Sequence, residues 1–527
     1  MLDRRHFLKN STLLSSGLFL GDIHSFAFKK DNKRNFGLCV NTQTLNNNPD
    51  FINTISSSGI TDVWMPYFIN GYYPYPIEDI LLWKKRFEKK GIAVNMVSVP
   101  FGHPGGSLGD SQNYDITPQT WPRRIDIDGK NFSGTSVHPI VTQENISVIK
   151  KIQASGFNKL FLDDDFRLAA SPGNIGGCFC EEHQKEFLNQ YGYLKKDMED
   201  LRNDIKNRNL NSLVKNWIDY NCNQLSASFK AQQAAAPQVK LGIMAMYLGS
   251  EKAGIRLEDY KDSLFRVGEL MFSDKNFSPV KGKTDELFSS LFHRRFVKPT
   301  LAFSETTAYP ANQLSAKNMA AKLHISTISD VRNTMMMSGL DPFPFGHWAT
   351  LAPAIKKVAA IHEKIAGQKL AGPMKHFWGT RSRMVGDDKP NSLFLAAGIP
   401  FEVNDTSSTD GWTFLSDFDI QDVSSGELKS KGTTFIYGAS QDKKINGARF
   451  VKENLQEIFL FKKEIIPLLK GVPYVVEDKP VICAWYSKIN KVLLWNLSES
   501  KEVFTLKLDQ KIQTIEIGGL DAELISV

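Results

Sequence analysis

Gly156-Phe157-Asn158-Lys159-Leu160-Phe161-Leu162-Asp163-Asp164-Asp165 decides how the chain is read. A glycine and a large apolar residue close one helix and open a short apolar run, and three carboxylates end that run. Short apolar runs bounded by such turn signals predict strands buried on both faces. The same punctuation recurs at Gly59-Ile60 and Gly91-Ile92. Working outward, strands are expected at 36–40, 62–65, 92–97, 160–162, 241–246, 269–272, 301–303 and 334–337. Helical periodicity lies between them, at 50–57, 77–90, 144–155 and about 181–236. Eight such units predict an α/β fold, a (β/α)8 TIM barrel over residues 31–371. The alternative is an open doubly wound sheet, but no G-x-G-x-x-G follows the first strand.

Two smaller units follow. Residues 372–470 read as a small α/β domain, with strand-like runs at Phe394–Phe401, Thr413–Asp417 and Thr434–Gly438. Residues 471–527 alternate apolar and polar at 481–486, 492–496 and 503–508, which predicts a C-terminal antiparallel β domain, sandwich-like. A chain of 527 residues is too long for one core. Its 42% hydrophobic and 23% charged content is that of an ordinary globular protein.

The net charge of +7 is not a nucleic-acid footprint. Residues 1–30 carry five Lys/Arg against two Asp, and elsewhere basic and acidic residues are interspersed. That leader, with Arg4-Arg5, an apolar stretch from Ser11 to Leu20 and Ser25-Phe26-Ala27, resembles a twin-arginine signal peptide. Periplasmic or secreted location is therefore expected. No later run approaches the roughly 18 apolar residues of a membrane span, so no stable membrane insertion is expected.

Parallel α/β folds keep their chemistry at the carboxyl ends of strands. Asp163, Asp164 and Asp165 fall at the end of strand four, and Glu305 at the end of Thr300-Leu-Ala-Phe-Ser304. Adjacent carboxylates raise one another's pKa, so Asp165 or Asp164 could be a proton donor beside an ionised Glu305, with Arg167 holding a further acid. Clustered carboxylates also suit Ca²⁺ or Mg²⁺, and can simply cap a helix or pair with Arg167. Asp274 is expected at the end of strand six. Aromatic and polar residues gather in loops after strands: Trp64, Tyr67, His103, Tyr247, Tyr309 and Trp348. Together with Asp163 and Arg167 they form a candidate substrate surface, since aromatic faces cover the C–H faces of sugars.

Cys178-Phe-Cys180-Glu-Glu-His183 has the spacing of three metal ligands, and His138 is the candidate fourth by position. An empty site or free buried thiols are the alternatives. Five cysteines give no full disulfide framework.

Barrel, small α/β unit and β unit, with Gly398-Ile-Pro-Phe-Glu402, Gly411-Trp-Thr-Phe-Leu-Ser-Asp417 and Leu494-Trp-Asn-Leu-Ser498, resemble the family 42 glycoside hydrolases of the β-galactosidase type. The resemblance implies hydrolysis of a glycosidic bond by a carboxylate pair with retention. Glu305 would be the nucleophile, and the acid/base would stand at the end of strand four. It also implies a carbohydrate substrate, a homotrimer through residues 372–470, no required cofactor, and a structural zinc cluster after strand four. The chain departs from that family by having the aspartate triplet in place of an Asn-Glu pair. The rival scheme resembles α-glycosidases, with a strand-four Asp as nucleophile and Asp274 as acid/base. A carbohydrate-binding protein without catalysis and a metal-dependent lyase or hydrolase are the other classes considered.

Overall fold

The computed structural model describes residues 33–102, 117–163, 166–245, 247–338, 342–438 and 445–527. The twin-arginine leader, His103, Asp164 and Asp165 lie outside the described residues.

Eight parallel strands close into a barrel: β1 Asn35–Cys39, β2 Asp62–Ile69, β3 Ala93–Val99, β4 Lys159–Leu162, β5 Lys240–Met244, β6 Leu264–Arg266, β7 Ala302–Thr307 and β8 Asn333–Met337. β8 returns to β1 in the register Asn35↔Asn333. Each strand alternates an inward and an outward residue. The inward set Cys39, Trp64, Val97, Phe161, Leu264, Phe303, Met335 and Met337 fills the interior. Trp64, Phe161 and Phe303 meet edge-on or tilted at 4.8–5.7 Å. Their bulk demands a small neighbour. Gly242 lies opposite Phe161 in the ladder, where a Cβ would come within 2.5 Å of the Phe161 ring. Any larger residue there would overpack the interior.

The long helical region after β4 is three helices, Glu181–Tyr191, Asp197–Lys206 and Ser212–Ala235. They bury their own cluster around Phe187, Leu201 and Trp217. None of the described helices is long and apolar enough to cross a membrane.

A second sheet holds β9 Met374–Phe377, β10 Phe401–Asn404, β11 Trp412–Leu415, β12 Thr434–Tyr437 and β13 Ala448–Phe450. It is parallel throughout, in the order β10-β9-β11-β12-β13. The remaining strands are β14 Tyr474–Val475, β15 Val481–Tyr486, β16 Lys491–Asn496, β17 Glu502–Leu508, β18 Lys511–Ile517 and β19 Ala522–Ser526. They make two antiparallel sheets, β14-β17-β18 and β15-β16-β19, which share a core of Val481, Cys483, Leu494, Phe504 and Leu506. Residues 33–527 form one compact unit, and the buried ion pair Lys252–Asp388 joins the loop after β5 to the segment after β9.

Two expectations are corrected. Strand six is Leu264–Arg266, not 269–272, because a buried arginine ends the strand and broke its apolar pattern. The run Phe394–Phe401 is not one strand: Ser392–Ala396 is a 3₁₀ helix, and β10 begins only at Phe401. Gly398, in the left-handed region at φ +72°, turns the chain between them.

Candidate active site

β4 delivers Asp163 directly after Leu162, and the Asp163 N–H donates to Ser98 O of β3 at 2.7 Å. β7 delivers Glu305 from within the strand, 3% exposed. The two acids converge on one cation. Arg266, the last residue of β6 and 1% exposed, places Nη1 2.7 Å from Asp163 Oδ1 and Nη2 3.2 Å from Glu305 Oε1. One planar guanidinium therefore spans carboxylates of two strands, which a point-like ammonium could not do in the same geometry. The Arg266 nitrogens also lie 2.8 Å from Met244 Sδ and 3.5 Å from Met335 Sδ. Side chains of β4, β5, β7 and β8 thus surround the guanidinium at the carboxyl ends of the strands.

The Glu305 backbone is held from the side as well. Its N–H donates to Glu269 Oε1 at 3.2 Å. Glu269 pairs with Lys322 Nζ at 3.2 Å, which pairs with Glu286 Oε1 at 3.0 Å. All three side chains are buried. Desolvation pushes the Glu269 carboxyl far up, to about 8, against the pull of Lys322.

Other expected site residues fall elsewhere. Trp64 is packed inside the barrel, its Nε1 bonded to Asp62, so it is core and not a sugar platform. Tyr67 is buried against Tyr73 with ring centroids 5.1 Å apart, and Tyr247 is buried in the same outer core. Trp348 is buried against Phe343 and Phe51. These four owe their place to packing. Tyr309, just past β7, is 61% exposed and remains open to a ligand. Arg167 donates to the carbonyls of Ala169 and Ala170; the arginine paired with Asp163 is Arg266.

Asp274 does not end strand six. It opens a short helix, Asp274–Phe277, and its Oδ1 accepts from Ser315 N, Ser315 Oγ and Asn318 Nδ2 at 2.8–3.0 Å. That carboxylate ties two loops together, which removes the support for an acid/base role. Arg266 and Glu269 were missed by the sequence reading. The signal was present: a lone charged residue inside the apolar run Leu264-Phe265-Arg266-Val267 is costly unless paired.

The cysteine–histidine motif closes up in space. Ligand atoms of His138, Cys178, Cys180 and His183 all lie within 4.8 Å of one another and could hold a metal ion. His138 directly precedes the helix Pro139–Ala154, and His183 lies in the first turn of Glu181–Tyr191. Gly177 brings the cysteine loop over Trp217 at φ +125°, where a Cβ would lie 2.5 Å from the indole. The hydrogen bonding fits a ligand set. His183 Nε2 is 3.0 Å from Val137 O, and its Nδ1 is 3.1 Å from Cys180 Sγ. His138 Nδ1 is 3.1 Å from Glu182 Oε2, while its Nε2 is buried without a hydrogen-bond partner. Each imidazole is thus oriented through one nitrogen, with the other turned to the cluster. A hydrogen bond from Cys180 holds the Cys178 thiol down to about 7.

No protein-family model matches the sequence, and no curated protein matches it. Solved structures do match. The β-galactosidase from Rahnella sp. R3 superposes with a TM-score of 0.59 at 11% identity, over 94% of this chain and 98% of that one. The β-galactosidase from Bacillus circulans sp. alkalophilus gives 0.59 at 9% identity, over 94% and 99%. A catalytic mutant of a GH42 β-galactosidase from G. stearothermophilus gives 0.58 at 9% identity, over 94% and 98%. The fold is that of the family 42 β-galactosidases. At these identities the likeness is one of architecture, and it covers 94% of this chain.

Removing the shared cation leaves two buried carboxylates facing one another. Arg266→Met is expected to destabilise the protein by about 3–5 kcal/mol, read as a lower urea midpoint at pH 7. Arg266→Lys should recover only part of that loss. A midpoint equal to wild type in Arg266→Met would show that the ion pair does not hold the strand ends together.

Proposed function

We propose that the protein is an exported glycoside hydrolase that cleaves a glycosidic bond at the carboxyl ends of the barrel strands. One observation carries this reading: Asp163 after β4 and Glu305 in β7, far apart in sequence, are brought to one guanidinium within a barrel of the family 42 type. Glycoside hydrolysis requires a nucleophilic carboxylate and a proton donor flanking one bond, and Arg266 brings Asp163, the first acid of the triplet, to Glu305. In this reading Glu305 attacks the anomeric carbon and forms a glycosyl-enzyme. Asp163 is engaged by Arg266, so proton donation falls to Asp164 or Asp165. Retention of configuration follows from a covalent intermediate, and the exposed ring of Tyr309 offers a face to the sugar. The matched structures are named as β-galactosidases, so β-galactosides head the substrate panel.

A specific feature favours a second reading. Arg266 sits between the acids and pairs with both, which suits a carbohydrate-binding protein without catalysis. Calorimetric binding of a sugar that no preparation cleaves would select it.

We further propose zinc as the ion for His138, Cys178, Cys180 and His183, since thiolate and imidazole donors suit it. Its role would be structural, tying the loop after β4 to the two flanking helices. The Arg4-Arg5 leader supports export, and the middle parallel sheet is the candidate trimer contact.

Four outcomes check these proposals. On any aryl glycoside that the wild type accepts, Glu305→Gln should lower kcat by on the order of 10⁴-fold, and NMR should show the retained anomer first. Equal rates would remove Glu305 from the chemistry. Metal analysis should find one zinc per chain, lost in Cys178→Ser with a lower Tm, whereas equal metal content in both would place the zinc elsewhere. Changing Arg4-Arg5 to two lysines should trap an unprocessed precursor in the cytoplasm, and light scattering of the mature protein should give three times the monomer mass.

A further inference from the structure

β6 stops early on the side facing β7. The ladder pairs Phe265 with Ala302 and Arg266 with Phe303, and its last rung is Val267 N–H to Phe303 O at 2.8 Å. In a continued parallel ladder the next donor, Glu305 N–H, would find the Val267 carbonyl. Here the chain turns away at Gly268, which packs so closely on the Tyr247 backbone that a Cβ would lie 2.5 Å from it. The Glu305 N–H finds Glu269 Oε1 instead.

We infer that Glu269 is a positioning residue for Glu305: its carboxyl group stands in for the missing β6 carbonyl, and it does so while carrying a proton. The inference rests on the proposed role of Glu305, but its geometry does not.

Charge balance places the proton. The charged groups facing Glu269 are Lys322 from the helix Ala316–Ile328 and Glu286 from the helix Val280–Arg294. Two carboxyls share one ammonium in a buried cluster, which leaves one negative charge uncompensated if both ionise. Desolvating such a charge is expensive, and the group keeps a proton instead. Glu286 has the better claim to the charge. Its Oε1 accepts from the N–H groups of Leu270 and Met271 as well as from Lys322. Glu269 has the single N–H of Glu305 beside the ammonium, so burial raises it the more effectively. A neutral carboxyl still accepts through its carbonyl oxygen, so the stand-in works without placing a further negative charge behind Glu305.

Three measurements on the full-length protein test this. Hydrogen exchange of the peptide containing Glu305 should quicken in Glu269→Leu and stay at the wild-type rate in Glu269→Gln, which keeps an acceptor oxygen. This readout needs no substrate. Equal exchange in all three proteins would overturn the positioning role, whatever the enzyme activity. Second, the folded state holds the proton where the unfolded chain, at 4.5, has released it. This contribution to stability is full below pH 4.5 and is lost as the pH rises through about 8. Glu269→Gln should therefore remove part of the fall in urea midpoint between those limits, and an unchanged slope would overturn the protonated state. Third, on an accepted glycoside Glu269→Leu should lower kcat by on the order of 10²-fold with KM unchanged, and Glu269→Gln should restore it. Should Glu269→Leu fail to fold, Glu269→Gln with wild-type exchange and a flattened pH slope still supports the inference, and wild-type slope still sinks it.

Discussion

A buried guanidinium has few stable surroundings. Away from water its N–H groups must be met by acceptors, and where those are carboxylates its flat, forked shape fixes where they stand. Arg266 meets this constraint at the top of the barrel, where Asp163 and Glu305 close on it from β4 and β7. The consequence reaches beyond the three residues. The strands that carry them must end at matching heights, and the interior below must be filled by Trp64, Phe161 and Phe303 so that no water reaches the pair from beneath. The ion pair and the aromatic plug are therefore two parts of one arrangement.

A second buried charge cluster stands beside the first. Lys322, Glu269 and Glu286 bind the helices flanking β7 to the turn after β6. The Glu305 backbone belongs to one cluster and its side chain to the other. A residue fixed at both its peptide and its carboxylate is pre-organised, which suits the nucleophilic role proposed for Glu305. It also explains how β7 stays regular after its β6 neighbour has turned away.

Cys178, Cys180 and His183 lie on the segment that leaves β4, and His138 joins them from the start of the helix that precedes β4. Here the neighbours supply one hydrogen bond to each imidazole and the loop supplies the sulfurs. Asp163, the first residue after β4, is held by its N–H bond to β3.

Much of this was legible in the chain itself, for a local reason. Strand–helix alternation is written in apolar runs and glycine punctuation, so the barrel, the terminal β unit and the place of Glu305 near the end of its strand could be read residue by residue. The Cys-x-Cys-x-x-His spacing was likewise local. Where the reading went wrong, the deciding contacts were not local. Arg266 makes β6 look like a loop until its two carboxylates are seen to come from other strands. Trp64 resembles a rim aromatic until the opposite strands close over it. Asp274 resembles a catalytic acid until Ser315 and Asn318 take its oxygen. Sequence alone determined the alternation of buried strands with helices and which strand ends bear polar groups, because periodicity is a property of short segments. Only the tertiary structure decided which charges meet, because a buried charge is settled by whichever partner the closed barrel brings within hydrogen-bonding reach.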